Sequence, residues 1–218
     1  MSSGATDPPG PRVPAGRLRD LGQPRLGAPG LLLRPWARAD AETLVRAYAD
    51  PDVRYWTLRA RAGPQEAVAA IDRWADDWRA ERRGVWAVTD SASGEVLGRV
   101  ALRDISLAYG LAECTYWTLP QARGRGVAAT AARTTARWAL EVAGLHRVEV
   151  QHSVRNAASC RVALRAGFRA EGVRRSALYH ADGWHDMHCH ALVAGDPELR
   201  TPPPGKSATP LNNVGPGG

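Results

Sequence analysis

Apolar and polar residues follow two different periods along this chain, and together they predict a domain built from both strands and helices. Alternation bounded by turn residues predicts strands over residues 31–34, 85–89, 96–103, 112–119, 146–152, 168–173 and 185–193. Apolar spacings of three and four predict helices over residues 40–48, 64–81, 124–142 and 156–165. The order, an antiparallel opening followed by β-α-β-α-β, is typical of a mixed α/β fold with helices on both faces of one sheet.

The two longest predicted helices each carry one apolar face. In the helix over residues 64–81, the face is formed by Val68, Ile71, Ala75 and Trp78. In the helix over residues 124–142, it is formed by Val127, Ala131, Thr135, Trp138 and Val142. We expect most of the 8 tryptophans to join these faces in the core, because large aromatic side chains bury the most area.

Proline and glycine mark the ends of the predicted domain. Of 16 prolines, residues 1–30 hold 6 and residues 197–218 hold another 6, and both segments are also rich in glycine. Neither residue type sustains the interior of a helix or a strand. The sequence therefore predicts one domain over residues 31–196, between disordered tails over residues 1–30 and 197–218.

Composition narrows the compartment and the class of partner. The 3 cysteines are odd in number and widely spaced, which argues against a disulfide framework and favours a reducing cytoplasm. We expect no membrane span and no export signal, since no apolar run is long enough for either. The net charge of +7 favours an anionic partner: a nucleic acid, an acidic surface or a phosphorylated cofactor. A nucleic acid is the weaker prediction, because the arginines are scattered and no stacking aromatics are interleaved with them.

The segment 120–128 carries the clearest chemical signal. It joins a predicted strand to a long predicted helix, and a helix N-terminus offers free N–H groups with a partial positive charge. Gly124 and Gly126 leave room for a phosphate to approach those groups. Arg123 and Arg125 can add charge-assisted hydrogen bonds. The segment therefore predicts a pyrophosphate site, with a glycine turn that merely packs tightly as the alternative.

Two other phosphate loops do not fit this segment. A nucleotide-binding P-loop needs Gly-Lys followed by Ser or Thr, which the segment lacks. A dinucleotide-binding fold needs a third glycine and follows the first strand of its domain. Here Ala129 occupies the third glycine position, and the loop lies in mid-chain.

A succession of short motifs resembles the GNAT family of N-acetyltransferases. Gln121-x-x-Gly124-x-Gly126 is similar to the coenzyme A signature of that family. It is followed by Gly-Leu-His-Arg-Val-Glu at residues 144–149, and then by Asn-Ala-Ala-Ser and Ala-Gly-Phe further along the chain. This succession is similar to the branch that contains the ribosomal-protein N-terminal alanine acetyltransferases, and it covers residues from about 33 to 192.

The resemblance implies a GNAT-like domain, with acetyl-CoA as co-substrate and a mostly antiparallel sheet that splays at the cofactor site. It implies that the backbone near Trp117, Thr118 and Leu119 pairs with the pantetheine arm. The pyrophosphate contacts would then come from the turn, through Gln121, Arg123, Gly124, Arg125, Gly126, Val127 and Ala128. Asn156 corresponds to a family position that contacts the cofactor, and asparagine is also a favoured helix N-cap.

Acyl transfer to an amine calls for a proton acceptor. We predict Glu113 as this base, since alternation puts it on one strand face with Thr115 and Trp117. A carboxylate beside an apolar ring can have a raised pKa, suited to taking a proton from an amine. Glu149 and Asp104 are the alternative bases, and a salt-bridged edge carboxylate is the alternative role of Glu113.

The proton donor for the departing thiol departs from the usual family pattern. Many GNAT enzymes carry a tyrosine acid at the position that Ala163 occupies here. Ser159 corresponds to a serine that the resembled branch carries in this helix, and we predict it as the acid. Cys160 and Tyr116 remain alternatives, and Ser159 can instead hydrogen-bond to the backbone of the first helical turn.

The sequence His185-Asp186-x-His188-Cys189-His190 has the composition of a metal site. On a strand, Asp186, His188 and His190 share one face. A structural zinc site needs four ligands, usually two of them from a distant segment, and no such pair stands out in the sequence. We therefore expect no metal, and a polar strand face near the acceptor cleft.

The sequence thus predicts an N-acetyltransferase that moves an acetyl group from acetyl-CoA to a primary amine by direct attack with a general base. The resembled branch suggests a protein N-terminal α-amine, while small-molecule amines stay open as acceptors. The alternatives are transfer of another acyl group, such as succinyl, and a CoA-binding or nucleic-acid-binding module without catalysis. A dimer is compatible with the sequence.

Overall fold

The computed structural model describes residues 10–199, except residues 59 and 61. Within that part of the chain, eight strands form one sheet in the order β1-β2-β3-β4-β5-β6-β8-β7. The strands are β1 (Leu26–Ala28), β2 (Leu31–Pro35), β3 (Gly84–Asp90), β4 (Val96–Ser106), β5 (Leu111–Thr118), β6 (Arg147–Ser153), β7 (Arg169–His180) and β8 (Gly183–Val193). The α-helices are α1 (Arg17–Leu21), α2 (Ala41–Ala49), α3 (Pro51–Thr57), α4 (Pro64–Arg79), α5 (Val127–Trp138) and α6 (Ala157–Ala166).

The sheet is mixed and mostly antiparallel, as predicted. Neighbouring strands are antiparallel except β5 and β6, which are parallel. A parallel neighbour needs a crossover, and α5 provides it. The sequence analysis did not predict β1, α1 and α3. It predicted only half the length of β7, because the outer residues of this strand are mostly polar and exposed and give no apolar pattern.

Helices cover both faces of the sheet, because alternate residues of β3 belong to two different cores. Trp86 and Val88 pack into the core that α5 and α6 cover. Val85 and Ala87 pack into the core that α2, α3 and α4 cover. Six of the eight tryptophans are buried, which confirms their predicted place: Trp36, Trp74, Trp78, Trp86, Trp117 and Trp138.

Two predicted helix faces need correction. The buried face of α4 is formed by Ala67, Ile71, Trp74 and Trp78, so that Ala75 is exposed and Val68 half-buried. The face of α5 holds as far as Trp138, but Val142 is 46% exposed. The chain forms a π-turn over Ala139–Ala143, and the wider turn rotates Val142 out of the apolar stripe.

The segment 10–30 is ordered and packed, which corrects the disordered tail predicted for residues 1–30. Val13 and Leu18 are 2% and 1% exposed in the core beside α5, and β1 adds an edge strand to β2. The carboxylate of Glu81 accepts hydrogen bonds from the N–H groups of Gly16 (2.6 Å) and Leu18 (2.7 Å) at the start of α1. Burial raises the pKa of Glu81, but these backbone bonds prevail and lower it. The contribution of Glu81 to stability is therefore present at neutral pH and is lost as the pH falls through its folded-state pKa.

The C-terminal boundary also needs a small correction. A short 3₁₀ helix covers Pro197–Leu199, and Leu199 is buried in the core. The packed domain therefore runs from about residue 12 to residue 199. Residues 1–9 and 200–218 of the predicted tails lie outside the described residues.

We expect Leu18→Ala to lower the free energy of unfolding by about 2–5 kcal/mol, the usual cost of emptying a buried leucine site. Leu21→Ala is the matched control, since Leu21 belongs to the same helix and is 40% exposed. Urea unfolding of the two variants measures the difference. Equal, small effects would contradict the docking of the N-terminal segment.

Candidate active site

Strands β5 and β6 run side by side only at their beginnings. Their parallel pairing ends at Glu113 and Glu149. Beyond that rung, β5 stays paired with β4 as far as Thr118, and β6 stays paired with β8 as far as Ser153. The sheet therefore opens into a wedge, where peptide groups on one edge of β5 are free to bind a ligand. This is the splay that the family resemblance implied.

A cavity of about 820 Å³ occupies the wedge. Its walls come from the free edges of β5 and β6, the turn before α5, the first half of α6, and α3. The volume is in the range of cofactor and substrate pockets. One space thus adjoins both the predicted cofactor turn and the predicted base.

The turn before α5 has the geometry of an anion cradle. Gly124 and Gly126 have φ angles of 74° and 79°, which glycine adopts without strain. A Cβ atom built on either glycine would meet nothing within 4 Å, so the backbone is open to a ligand. The N–H of Thr130 donates to the carbonyl of Gly126 (3.0 Å), and the preceding N–H groups of the first turn are therefore left for an anion. The residues present fit the pyrophosphate of CoA.

The side chains of this turn are placed differently from the prediction. Arg123 pairs with Asp50 (2.6 Å) and Asp52 (3.0 Å), so it ties the turn to α3. Gln121 and Arg125 are exposed and do not line the cavity, whereas Val127 packs into the core. The cradle is thus built from backbone groups between Gly124 and Ala129.

The structure brings two of the three residues of the predicted pantetheine edge to the cavity. Trp117 and Thr118 line it, and their pairing with pantetheine stays a prediction. Leu119 does not line it: its N–H donates to the carbonyl of Leu97 (2.9 Å), and its carbonyl accepts from the N–H of Ala122 (2.9 Å). Leu119 closes the turn, so its backbone is already engaged. This corrects its place among the cofactor contacts.

Asn156 performs the capping role that its residue type suggested. Its side-chain oxygen accepts a hydrogen bond from the N–H of Ser159 (3.0 Å) and so caps α6. Asn156 also lines the cavity, where its amide group remains available to a ligand. Contact with the cofactor stays a prediction.

Glu113 lies at the vertex of the wedge, on the last rung that β5 shares with β6. Its side chain is 13% exposed and pairs with Arg103 at 2.8 Å. Burial raises the pKa of Glu113, and although Arg103 opposes this, the pKa stays above its ordinary value. Glu113 thus has the raised pKa expected of the base, and it also forms the salt bridge that was its alternative role; its part in catalysis stays a prediction.

The two alternative bases lie away from the cavity. The side chain of Asp104 is 71% exposed, on a bulge of β4. Glu149 is held by Arg147 at 2.7 Å. Among these three carboxylates, Glu113 alone lines the cavity.

Ser159 and Tyr116 meet on the opposite face of β5. The Tyr116 hydroxyl lies 3.0 Å from Ser159 Oγ and also donates to the Ser159 carbonyl at 3.1 Å. Burial raises the pKa of Tyr116 well above its ordinary value, so the phenol is protonated at neutral pH. The predicted acid and one of its alternatives therefore form a single hydrogen-bonded pair that lines the cavity.

Sequence reasoning missed the α3 side of the cavity. Trp56 of α3 lines it, together with Arg99 of β4 and His180 at the end of β7. His180 is 3% exposed and stacks on His185 with ring centroids 4.1 Å apart. The sequence prediction ended β7 at residue 173, so His180 fell outside every predicted element. The full length of this strand was the signal that would have found it.

Comparison with known proteins identifies the family. The family description "Acetyltransferase (GNAT) domain" matches residues 30–169. The chain belongs to the GNAT acetyltransferase family. It is therefore an acyl-CoA-dependent acetyltransferase that uses acetyl-CoA, and the fold, the signature turn and the wedge agree with this assignment.

Two Bacillus subtilis relatives resemble this GNAT domain over most of its length. YoaA, an N-acetyltransferase that is itself uncharacterized, is 26% identical over 78% of this chain and 97% of its own. YdaF, for which ribosomal N-acetyltransferase activity is proposed, is 29% identical over 71% of this chain and 86% of its own.

Two solved structures show the shared fold. The ribosomal-protein-S5-alanine acetyltransferase of Vibrio fischeri has a TM-score of 0.70 at 18% identity, covering 79% of this chain and 98% of its own. The spermidine N-acetyltransferase of Vibrio cholerae, solved with CoA and spermine, has a TM-score of 0.69 at 16% identity, covering 79% and 99%.

Among the described residues, no helix is both long enough and apolar enough to cross a bilayer.

Proposed function

We propose that this acetyltransferase acetylates the α-amine at the N-terminus of a protein, with Glu113 as the general base. The observation that carries the proposal is the position of Glu113. This carboxylate is largely buried, has a raised pKa and lies at the vertex of the wedge between β5 and β6. It faces the α3 side of the cavity together with Trp117. In this proposal, the acceptor amine enters on the face of β5 that carries Glu113.

The charge of the acceptor side supports a polypeptide terminus over a polyamine. Arg99 and Arg103 pair with Trp117 and Glu113 across β4 and β5, so they lie on the acceptor face, and Arg83 lines the cavity as well. A polyamine carries several positive charges and is repelled by such a lining. A protein N-terminus carries one charge, followed by carbonyl oxygens that arginine can bind.

The chemistry of the acceptor also suits the base. An α-amine has an ordinary pKa of about 7.7–8.0, against about 10.4 for a lysine amine. A larger fraction of α-amine is therefore neutral at neutral pH, and a single carboxylate suffices to take the remaining proton. The branch of ribosomal relatives named above agrees with this acceptor.

Bound acetyl-CoA supplies a thioester for direct attack by the amine. Cys114 lines the cavity, but burial raises the pKa of its thiol to about 12, so this thiol stays protonated and is not activated for an acyl-enzyme route. On the opposite face, the hydrogen-bonded Tyr116–Ser159 pair is the proposed proton donor to the departing sulfur. The three cysteines of the described chain are unpaired, in line with a reducing cytoplasm as the place of the reaction.

We expect Tyr116→Phe to lower kcat by about tenfold to a hundredfold, and Ser159→Ala to lower it less. In this pair, the phenol of Tyr116 is the proposed proton donor. Both losses stay moderate, because a CoA thiol with an ordinary pKa of about 8.5 is a tolerable leaving group without a donor. The effect should shrink with a cofactor analogue whose thiol is more acidic. An equally large loss with acetyl-CoA and with this analogue would assign Tyr116 a structural role instead.

An acceptor panel tests the proposed function. The panel compares a peptide with a free N-terminal amine, the same peptide blocked at its N-terminus but carrying a lysine, and spermidine. We expect kcat/KM to be highest for the free terminus, by about 10² over the blocked peptide, as the pKa difference suggests. A preference for spermidine would contradict the proposed acceptor while leaving the family assignment intact.

A further inference from the structure

Three histidines and one cysteine cluster beside the acyl-transfer site. His152 lies on β6, Cys160 on α6, and His188 and His190 on β8. One ligand atom each from His152, Cys160 and His188 lies within 4.8 Å of the others. The Nε2 atom of His190 lies 4.0 Å from Cys160 Sγ, and its ring stacks on that of His152 at 5.1 Å. Three elements that are distant in sequence thus bring four metal-binding groups together.

Two of the three imidazoles of this cluster are buried, and all three are poorly satisfied. His152 and His190 are 5% and 2% exposed. The Nδ1 atom of His152 lies 2.9 Å from the Ser153 carbonyl, which leaves its Nε2 atom buried and without a hydrogen-bond partner among the described residues. The Nδ1 atoms of His188 and His190 are in the same condition. Native proteins rarely leave such nitrogens unpaired, and a bound ligand would give them partners.

We propose that His152, Cys160, His188 and His190 bind one Zn²⁺ ion. One sulfur and three nitrogens form a ligand set that zinc accepts, with bonds of about 2.3 Å to sulfur and about 2.0–2.1 Å to nitrogen. Tetrahedral ligand atoms at such bond lengths lie roughly 3.3–3.7 Å apart, so the ligand atoms of His152, Cys160 and His188, now within 4.8 Å of one another, would draw closer around the ion. On binding, the Cys160 thiol becomes a thiolate and releases one proton to water.

The fold supplies what the sequence lacked. The expectation of no metal rested on the absence of a distant ligand pair, and in this proposal His152 and Cys160 supply that pair. Asp186, which was predicted to share the face of His188, accepts a hydrogen bond from the N–H of Ser176 at 2.8 Å and is not part of the cluster. Because Cys160 directly follows Ser159, the ion would fix the first turn of α6 against β6 and β8. Its role is to hold the site together, and no step of the transfer passes through it.

Metal titration of the full-length, reduced and chelator-stripped protein tests the proposal. We expect one equivalent of Zn²⁺ to bind with a submicromolar Kd, to release a proton and to raise the Tm. Co²⁺, as a spectroscopic probe, should give a thiolate-to-cobalt charge-transfer band. Cys160→Ser should abolish this band and weaken Zn²⁺ binding by more than about 100-fold, since even outer-shell substitutions cost about 10–100-fold.

Cys189→Ser is the matched control. Like Cys160, Cys189 is a half-buried thiol, but it lies on β8 outside the cluster. Its loss should leave the charge-transfer band and the Zn²⁺ affinity unchanged. His188→Asn, at a half-buried position, is the second cluster variant if Cys160→Ser does not fold. Absence of one-to-one binding by the wild-type protein, or binding that survives in a folded cluster variant, would overturn the site. Neither readout depends on acetyl transfer, so the proposed function is tested separately.

Discussion

Glu113→Gln lowers kcat by about 10²–10⁴ at neutral pH, the usual scale for loss of a general base. The amide matches the carboxylate in shape, so the affinity for acetyl-CoA should stay near that of the wild type. Steady-state kinetics, with CoA affinity measured separately by calorimetry, give both quantities. A fall in kcat without a fall in affinity distinguishes proton transfer from damage to the cofactor site.

The pH dependence gives a second signature of the same residue. Burial raises the pKa of Glu113, so the acidic limb of kcat should lie above the ordinary glutamate value of about 4.3. Arg103→Gln removes the ion pair that lowers this pKa, and the limb should move to higher pH. In Glu113→Gln the limb should disappear.

Glu149→Gln is the control for Glu113. The two carboxylates face each other on the last rung of β5 and β6, but Glu149 is paired with Arg147 and does not line the cavity. We expect less than about a tenfold change in kcat for the control, well below the catalytic scale. A large loss in Glu149→Gln with normal activity in Glu113→Gln would move the base to β6.

Gly126→Asp should weaken binding of acetyl-CoA by about 10² or more. The new carboxylate lies where the pyrophosphate binds, and like charges about 4 Å apart repel by about 1–4 kcal/mol at a protein surface. It would also occupy the free N–H groups at the start of α5 itself. Calorimetry measures the affinity, and the shift of Tm with acetyl-CoA reports the same loss by linkage.

Gly126→Asn isolates the charge. Asparagine has the shape of aspartate and tolerates the positive φ of 79° at this position, and nothing within 4 Å would meet its Cβ. Both variants should therefore fold, and the neutral one should bind acetyl-CoA more tightly. Equal affinities for the two would show that the phosphates lie elsewhere.

The sequence predicted the parts of this molecule that local rules determine. The signature turn was readable because glycines at 124 and 126 have few uses other than a positive φ and a close approach of the backbone. Glu113 was readable because strand alternation fixes the side on which it lies. The family resemblance added the wedge, which the pairing of β5 and β6 confirms.

The parts that were missed depend on contacts between distant residues. Proline and glycine content suggested a disordered N-terminal segment, but Leu18 is buried and Glu81 caps the helix that carries it. Arg123 was expected to face the phosphates, whereas two aspartates near α3 hold it. No local sequence pattern predicts these pairings, because arginine, aspartate and glutamate are ordinary surface residue types when each is taken alone.

The most direct test of direct transfer follows both products in one reaction. Acetyl-CoA is mixed with the full-length protein and a peptide that has a free N-terminus. Released CoA, acetylated peptide and the mass of the intact protein are then measured together. We predict equal amounts of CoA and acetylated peptide, no CoA release when the peptide is omitted, and no acetyl group on the protein. An acetylated protein formed without acceptor, or no CoA release with any amine, would contradict direct acetyl transfer in the wedge between β5 and β6.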